Sequence, residues 1–328
     1  MSDAVLILSF GGPEGPDEVM PFLENVLRGR NVPRERMLEV AEHYYHFGGK
    51  SPINDHNRLL IRDLEKELAA HGPDLPVYWG NRNWHPLLAD TMRKMASDGV
   101  TRAFGFVTAA FSSYSSCRQY REDIAKASAE VGPGAPVVEK LRVFFNHPGF
   151  IEPMVERVQD ALAQAGANAH VLFTAHSIPI AMAEASEYVV QLKEASRLVA
   201  GACGAGAHRL VYQSRSGPPT QKWLEPDIGD ALREIASGEG SRDVVVVPIG
   251  FTSDHMEVLY DLDYEAQHLA QELGLRMVRA GTAQSHPRFV QMVRELVEEK
   301  LSGKPPLWVG SMMPGVCEPD CCPAPRRG

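Results

Sequence analysis

The stretch Leu172-Phe-Thr-Ala-His-Ser-Ile-Pro179 is an apolar β-type run that ends in a loop of small residues with a proline. The stretch Leu6-Ile-Leu-Ser-Phe-Gly-Gly-Pro13 has the same form near the start of the chain. Two other strand-like runs, 104–114 and 246–254, both end in aromatic, hydroxyl-rich loops. These paired similarities indicate an internal repeat, and they predict two similar α/β lobes joined near residue 148.

Apolar β-type runs alternate with amphipathic helical stretches along the chain, which is the pattern of parallel α/β sheets. The predicted strands are 4–9, 77–80, 101–107, 170–174, 209–213, 244–250 and 276–279. The predicted helices include 35–43, 57–71, 88–97, 119–131, 149–164, 186–201 and 287–302. We expect an N-terminal lobe over 1–148, a C-terminal lobe over 149–304 and an irregular, Cys-rich tail over 305–328.

Composition narrows the class of protein. The 328 residues carry a formal net charge of −9 without a basic block, which argues against nucleic-acid binding. The first ten residues contain an acid where a signal peptide needs bases, and no window holds the roughly 18–20 apolar residues of a spanning helix. We therefore expect a cytoplasmic protein with at most peripheral membrane contact.

The loops that follow the predicted strands carry the candidate chemistry. Ligands of doubly wound sheets bind outside the carboxyl ends of the strands, so these loops are expected to meet in one cleft. His176 lies in one of them. In isolation it is explained as a buried, hydrogen-bonded histidine. A second cluster of histidine and acids elsewhere in the chain favours a base or a metal ligand instead.

That second cluster is Phe251-Thr-Ser-Asp-His-Met-Glu257. It is predicted to continue as a helix that carries carboxylates at Glu257, Asp261 and Glu265. Like charges four residues apart repel on one helix face, and a divalent cation is one way to compensate them. Asp254 and Glu257 also match a helix capping box, which explains these two residues without any chemistry.

Aromatic residues in and beside these loops suggest a flat apolar ligand. The candidates are Phe10, Tyr120, Trp223 and Phe251, and burial in the core is their alternative explanation. Arg28, Arg30 and Ser51 suit carboxylates at the edge of such a ligand, although a solvated surface also explains the two arginines. The loop around Lys50 lacks the glycine spacing of a nucleotide-binding loop, so we reject ATP binding.

Three of the five cysteines, Cys317, Cys321 and Cys322, crowd the last dozen residues. In a cytoplasmic protein, clustered thiols indicate metal or iron–sulfur ligands and not a disulfide framework. Their spacing is too irregular for paired zinc-knuckle units. A [2Fe–2S] cluster needs a fourth thiolate from the body of the protein, and Cys117 and Cys203 are the candidates. A tail with incidental thiols is the alternative.

Motifs along the chain resemble, in combination and in order, those of the ferrochelatases. They are Phe-Gly-Gly-Pro at 10–13, Phe-Gly-Gly-Lys-Ser-Pro-Ile-Asn at 47–54, Thr-Ala-His-Ser-Ile-Pro at 174–179, Tyr-Gln-Ser-Arg-Ser-Gly-Pro-Pro at 212–219, Trp-Leu-Glu-Pro-Asp at 223–227 and Phe-Thr-Ser-Asp-His-Met-Glu-Val-Leu-Tyr-Asp at 251–261. The sequences Asn-Arg-Asn-Trp at 81–84 and Ser-Ser-Cys-Arg-Gln-Tyr at 115–120 are most similar to those of the actinobacterial branch. That branch is implied to use coproporphyrin III as the metal acceptor.

The resemblance implies two Rossmann-like lobes, each a parallel sheet flanked by helices, with the porphyrin in the cleft between them. It implies Fe²⁺ insertion in haem biosynthesis without an organic cofactor. His176 and Glu257 become the catalytic pair that also meets the substrate Fe²⁺, and Asp261 becomes a metal-relay or proton-exit carboxylate. Ser51 and Tyr120 fall on positions that contact the porphyrin. Phe10 stands where many relatives carry tyrosine or methionine, and phenylalanine cannot ligate iron.

Other interpretations stay open at this point. The same reaction on protoporphyrin IX is the nearest alternative, followed by a cobalt or sirohydrochlorin chelatase and by a non-catalytic haem-binding or iron–sulfur sensor. Some family members carry a [2Fe–2S] cluster on three C-terminal cysteines and one upstream cysteine. Pro153 stands where the upstream ligand of the animal proteins aligns, so the fourth ligand stays open. A downstream enzyme of the haem pathway is the expected protein partner.

Overall fold

The computed structural model describes residues 2–29, 32–206, 208–217, 220–284, 286–313, 315 and 317–324. Its framework is a pair of four-stranded parallel sheets. The first contains β1 (Ser2–Ser9), β2 (Val77–Asn81), β3 (Val100–Val107) and β4 (Val137–Lys140) in the order β2-β1-β3-β4. The second contains β5 (His170–His176), β6 (His208–Gln213), β7 (Asp243–Val247) and β8 (Arg276–Arg279) in the order β6-β5-β7-β8.

The two sheets have the same strand order, which confirms the predicted repeat. β1 and β5, predicted as equivalent, each occupy the second position of their sheet, and β3 and β7 each occupy the third. The valines at 244–247 in β7 are fully buried. Strands buried on both faces are typical of parallel sheets covered by helices. The predicted α/β fold with two Rossmann-like lobes is therefore confirmed.

Helices connect the strands and cover the sheets. They are α1 (Pro16–Val26), α2 (Arg34–His46), α3 (Ile53–His71), α4 (Leu88–Ser97), α5 (Gln119–Val131), α6 (Pro148–Ala165), α7 (Ile180–Glu184), α8 (Tyr188–Cys203), α9 (Ile228–Ser237), α10 (Met256–Val258), α11 (Gln267–Glu272) and α12 (Pro287–Ser302). The π-helical segment π1 (Tyr114–Arg118) runs directly into α5. A second π-helical segment, π2 (Leu259–Ala266), joins α10 and α11 into one continuous helix.

One hydrophobic core is shared by both sheets. It contains side chains from β1, β3, β5 and β7, with Phe106 and Phe173 among the largest. α12 packs against both α3 and α6. On α12, Arg294 donates to the carboxylate of Glu67 on α3 at 2.8 Å. The last helix therefore contacts the first lobe, and the predicted boundary near residue 148, where α6 begins, stays a prediction.

The sequence pattern predicts α4, α5 and α12 with their observed ends, but it does not predict β4, α1, α7 or α9. β4 is four residues long and only partly buried at the edge of its sheet, so it lacks the apolar run that marks the central strands. α1 contains Pro16 and Pro21, which argue against a helix. Pro16 occupies the first turn, where the helix needs no N–H donor from it.

The tail beyond α12 contains no helix or strand over its described residues, as expected. Hydrogen bonds to the main chain of the tail hold it against the rest of the protein. The N–H of Val309 donates to the carbonyl of Asn146 at 2.9 Å. Further on, the side chain of Arg118 at the end of π1 donates to the carbonyl of Pro319 at 2.7 Å. In the part of the chain that the structure describes, no helix is long and apolar enough to cross a membrane.

Candidate active site

His176 is the last residue of β5, at the carboxyl edge of the second sheet. Its Nδ1 lies 2.5 Å from the carbonyl oxygen of Ser177. A carbonyl oxygen only accepts hydrogen bonds, so Nδ1 carries a hydrogen, and in the neutral ring the lone pair is on Nε2. Tyr188 donates its hydroxyl to the carbonyl of His176 at 3.0 Å. These contacts orient the imidazole so that Nε2 can accept a proton or bind a metal.

The backbone beside His176 requires a glycine. The N–H of Gly250 donates to the carbonyl of Thr174 at 2.9 Å. A Cβ on Gly250 would stand 2.6 Å from the Cα of Ala175, a distance at which one of the two backbones must move. Glycine therefore permits the close approach of the loop after β7 to β5, and this approach brings α10 towards His176.

Glu257 faces His176 from the start of α10. Its Oε2 lies 3.8 Å from Nε2 of His176, which is longer than a hydrogen bond. The side chains are 32% exposed for His176 and 50% exposed for Glu257, so both reach solvent. An imidazole nitrogen and a carboxylate that face each other in this way can accept protons or bind one cation between them. The structure thus brings the two predicted catalytic residues together.

The acidic residues after Glu257 continue into π2. Burial raises the pKa of Asp261 to about 7, and the nearby carboxylate of Glu257 adds to this shift. Ser214 donates its hydroxyl to Oδ2 of Asp261, and Gln213 donates to the same oxygen at 3.3 Å. Burial also raises the pKa of Glu265. Asp261 and Glu265 therefore hold their protons more tightly than exposed carboxyl groups do.

The capping-box explanation of Asp254 and Glu257 is wrong. α10 begins at Met256 with His255 at its N-cap position, and no side-chain cap bonds its first turn. Asp254 instead binds Arg279, whose Nη1 lies 3.1 Å from Oδ1 of the carboxylate. The carboxylate of Glu257 is therefore not engaged as a helix cap.

Aromatic contacts pack α2 against π2. The ring of His43 stacks on Tyr260 with centroids 3.7 Å apart and planes within 6°. One helical turn on, His46 lies 4.3 Å from the ring of Tyr264. Burial lowers the pKa of His43, which favours the neutral ring in this stack. The matching spacings, three residues in α2 and four in π2, are the sequence signal that could have predicted this contact.

A largely buried arginine, Arg82, lies between two of the predicted ligand-contacting aromatics. Its guanidinium carbon is 5.8 Å from the ring centroid of Phe10 and 5.6 Å from that of Tyr120. Its Nε lies 3.0 Å from Oδ2 of Asp123, and its side chain is only 9% exposed. A single arginine between two asparagines carries no signal of its own in the sequence, so Arg82 was not among the predicted site residues.

The predicted aromatic residues differ in exposure. Phe10 is 37% exposed, whereas Tyr120, Trp223 and Phe251 are buried. Phe251 packs in the core of the second sheet, with its ring 5.0 Å from that of His255. Core burial therefore explains Phe251 well, while Phe10 alone among the four is exposed to solvent.

The predicted polar contacts lie at different depths. Ser51 is buried behind the loop 10–13, where its N–H donates to the carbonyl of Pro13 at 2.9 Å. Arg28 is exposed in the turn after α1. Arg30 lies outside the described residues. Ser51 is thus placed beside the loop that follows Phe10. The exposure of Arg28 agrees with a solvated surface.

Four of the five cysteines are neighbours. Cys117 in π1 and Cys317 in the tail share a hydrogen bond, which lowers the pKa of Cys117 and raises that of Cys317. Cys321 accepts from Nη1 of Arg121 at 3.5 Å and hydrogen-bonds Cys322. The positive charges of Lys140 and Arg121 also lower the pKa of Cys117. The tail cysteines therefore meet π1.

Cys203 is placed differently. It ends α8 and donates its thiol to the carbonyl of Val155 at 3.5 Å, and burial raises its pKa to about 11. Of the two candidates for a fourth ligand, Cys117 is the one beside the tail thiols. Within the described ranges, no three histidine, cysteine, aspartate or glutamate side chains are already close enough to hold a metal ion.

A sequence model of the ferrochelatase family matches residues 2–301. The chain belongs to the ferrochelatase family. The ferrochelatase of Rhodopirellula baltica is 58% identical over 332 residues, which cover 99% of this chain and 95% of the relative. The coproporphyrin III ferrochelatase of Frankia alni is 53% identical and covers 99% and 87% of the two chains. That of Nocardia farcinica is 51% identical and covers 99% and 97%.

Solved chelatase structures share the fold of this ferrochelatase. The cobalt-bound sirohydrochlorin chelatase of Bacillus subtilis subspecies spizizenii has a TM-score of 0.55 at 13% identity, covering 92% of this chain and 98% of that one. The terminal enzyme of sirohaem biosynthesis in denitrifying bacteria has a TM-score of 0.53 at 14% identity, covering 90% and 98%. As a ferrochelatase, the chain is a lyase of haem biosynthesis that inserts a metal into a porphyrin.

Proposed function

We propose that this ferrochelatase inserts Fe²⁺ into coproporphyrin III, with His176 and Glu257 as its catalytic pair. The observation that carries the proposal is the 3.8 Å approach of Nε2 of His176 to Oε2 of Glu257, with both side chains open to solvent. Insertion removes two protons from the pyrrole nitrogens and requires the ring to bend so that a nitrogen lone pair meets the metal. Neither step needs an organic cofactor.

The pair has the chemistry for both tasks. Because Nδ1 donates to Ser177, the lone pair of the neutral His176 ring is on Nε2, which accepts a pyrrole proton or binds the arriving Fe²⁺. Glu257 supplies the negative charge that balances a cation or an imidazolium.

Asp261 is the next carboxylate along the helix that carries Glu257. Its pKa of about 7 lets it exchange a proton or a divalent cation near neutral pH. Glu265 follows one turn further along the same helix. We assign these carboxylates to the path by which Fe²⁺ arrives or protons leave.

The choice of coproporphyrin III is supported from two sides. The relatives from Frankia alni and Nocardia farcinica bear that specificity in their names. Coproporphyrin III carries four propionates and protoporphyrin IX carries two, so the former needs more cations at the rim of its site. Arg82 is a cation between Phe10 and Tyr120, with Ser51 close behind the Phe10 loop, and Arg28 and Arg30 are further candidates in the sequence.

The ring itself is held by shape. Phe10 is exposed, and it shares Arg82 with the buried ring of Tyr120. We assign these two rings and that of Trp223 to the porphyrin. A site shaped for a bent porphyrin binds the distorted ring better than the flat one, so contacts at the periphery favour the transition state. Phe10 takes part through its ring alone, because phenylalanine offers no ligand to iron.

Protoporphyrin IX is the second candidate substrate, because the relative from Rhodopirellula baltica is named ferrochelatase without a stated porphyrin. A competition assay separates the two. Equal concentrations of both porphyrins are offered with limiting Fe²⁺ under anaerobic conditions, and the metallated products are separated and quantified. If Fe-coproporphyrin III is the main product, the proposal is supported. If protohaem is the main product, protoporphyrin IX is the substrate instead. If neither product forms, the proposal is rejected.

We also propose that Cys117, Cys317, Cys321 and Cys322 hold a [2Fe–2S] cluster. The donor set suits such a group, because four thiols are neighbours and the charges of Lys140 and Arg121 help to lower the pKa of Cys117. When bound, a cluster supplies redox chemistry and a cross-link between the tail and π1. The thiols must move together to bind it, which couples cluster binding to ordering of the tail.

The surroundings of the reaction follow from its chemistry. We propose a cytoplasmic location, consistent with the absence, over the described residues, of a helix able to span a membrane. The product is an apolar metalloporphyrin with carboxylates at its edge, and the next enzyme of the haem pathway is its proposed recipient.

A further inference from the structure

Ser214 has an unusual backbone for its residue type. Its φ of 61° lies in the left-handed region, and Cys322 is the other described non-glycine residue with a positive φ. Side chains with a Cβ are disfavoured there, and such strain persists only where the surroundings enforce it. The residue follows directly on β6, in the loop that faces the helix formed by α10, π2 and α11.

The strained backbone aims the Ser214 hydroxyl at a carboxylate of the candidate site. Oγ of Ser214 donates to Oδ2 of Asp261. Gln213 donates to the same oxygen at 3.3 Å and to the carbonyl of Glu257 at 3.4 Å. Two successive residues of one loop therefore bind both the side chain of Asp261 and the main chain of Glu257.

The same loop is tied to His176. Gln213 pairs with His176 in the register of β5 and β6. The carbonyl of Gln213 accepts from the N–H of Ser177 at 2.8 Å, beside the catalytic imidazole. The end of β6 thus connects the His176 side of the site to the side formed by Glu257 and Asp261.

We propose that Ser214 is a positioning residue that holds the Asp261 carboxylate in place for the incoming Fe²⁺. This inference rests on the proposed function, since it assigns Asp261 to the metal path of that reaction. Ser214 touches neither iron nor porphyrin in this account. It acts through one hydrogen bond, and its left-handed backbone is the conformation that brings its hydroxyl to Oδ2.

Steady-state kinetics with Fe²⁺ and coproporphyrin III test the hydroxyl. Ser214→Ala and Ser214→Gly both remove it, and each is expected to raise the KM for Fe²⁺ about tenfold or more, the usual loss for a hydrogen bond to a charged group. The KM for the porphyrin is expected to stay unchanged. Ser216→Ala, at an exposed serine of the same loop, is the matched control and should change neither KM.

The two Ser214 variants separate the hydroxyl from the backbone. Glycine relieves the left-handed conformation and alanine does not, yet both lack the hydroxyl. Equal effects on the KM for Fe²⁺ support the inference. A harmful alanine with a harmless glycine assigns the effect to the backbone and overturns the inference. In an Asp261→Asn background, Ser214→Ala is expected to add nothing, and additive effects also overturn it.

Binding of Mn²⁺ to the porphyrin-free protein, measured by calorimetry, keeps the inference distinct from the proposed function. Mn²⁺ prefers carboxylate to thiolate ligands, so the cysteine cluster interferes little. Weaker Mn²⁺ binding by Ser214→Ala than by wild type supports the inference even if no porphyrin is metallated. Equal Mn²⁺ affinities, or no binding by wild type, overturn it even if the wild-type enzyme is an active chelatase.

Discussion

Nε2 of His176 and Oε2 of Glu257 stand 3.8 Å apart, although one residue ends β5 and the other begins α10. Gly250 packs closely against Ala175, and Gln213 accepts from the N–H of Ser177 and donates to the carbonyl of Glu257. These contacts hold the two groups in place. The spacing leaves room for a proton or a small cation between the two groups. It is the geometric basis for assigning them to one reaction.

The carboxylate of Glu257 is expected to be essential for metal insertion. Glu257→Gln keeps the shape but removes the charge and the proton acceptor, and the loss of a positioned acid–base group costs about 10²–10⁴-fold in rate. The measurement is kcat for Fe²⁺ insertion, followed by absorbance. Glu272→Gln, at an exposed carboxylate of α11, is the control and should leave kcat unchanged. Equal rates for the two variants contradict the assignment.

Arg82 is expected to bind a peripheral carboxylate of the porphyrin. Arg82→Leu should raise the KM for coproporphyrin III about tenfold or more, because a charge-assisted hydrogen bond contributes about 1.5–3 kcal/mol. The KM of Arg82→Lys for coproporphyrin III should lie between those of wild type and Arg82→Leu, since lysine keeps the charge but loses the planar stacking on Phe10 and Tyr120. Arg93→Leu, on the exposed side of α4, serves as the control. An Arg82→Leu enzyme with wild-type KM would rule out this role.

The buried carboxyl of Asp261 makes folding stability depend on pH. Its pKa is about 7 in the folded chain and near 3.8 when exposed, so the unfolded chain loses this proton first as pH rises. The contribution of Asp261 to the free energy of unfolding therefore decreases between pH 4 and pH 7 and is constant above. Relative to wild type, Asp261→Asn should gain about 2.5 kcal/mol in its free energy of unfolding by urea between pH 5 and pH 8. A difference that does not change with pH contradicts the raised pKa.

The fourth ligand of the proposed cluster is expected to be Cys117. Wild-type protein purified anaerobically should be coloured and contain about two irons per chain. Cys117→Ser should lose both colour and iron, because three thiolates remain. Cys203→Ser is the matched control, since Cys203 bonds Val155 and should not affect either readout. If Cys117→Ser keeps its colour and Cys203→Ser loses it, Cys203 is the fourth ligand instead. A colourless wild-type protein would reject the cluster.

Much of the fold follows from local sequence signals. The central strands β1, β3, β5 and β7 are long apolar runs with loops of matching type, so the repeat was predictable from the sequence alone. β4 was not, because four partly exposed residues at a sheet edge carry little pattern. The boundaries of α4 and α12 were predictable, since clear apolar periodicity and flanking proline or glycine residues mark them.

The candidate site was predictable in part. His176 and Glu257 lie in motifs that can be recognised in the sequence. Arg82 becomes a candidate only in the folded chain, where β2 and α5 place it near the rings of Phe10 and Tyr120. The π-helical conformation of π2 could not be predicted from the sequence either, because carboxylates four residues apart do not distinguish an α-helix from a π-helix. The left-handed backbone of Ser214 and its contact with Asp261 likewise belong to the tertiary structure and leave no local pattern in the sequence.

Anaerobic Fe²⁺ insertion into coproporphyrin III by wild-type and His176→Ala protein, followed by absorbance, tests the catalytic role of His176. Wild type is expected to turn over, and the variant is expected to lose about 10²–10⁴-fold in rate with an unchanged circular dichroism spectrum. A folded His176→Ala protein that keeps more than about a tenth of wild-type turnover would contradict the role assigned to His176.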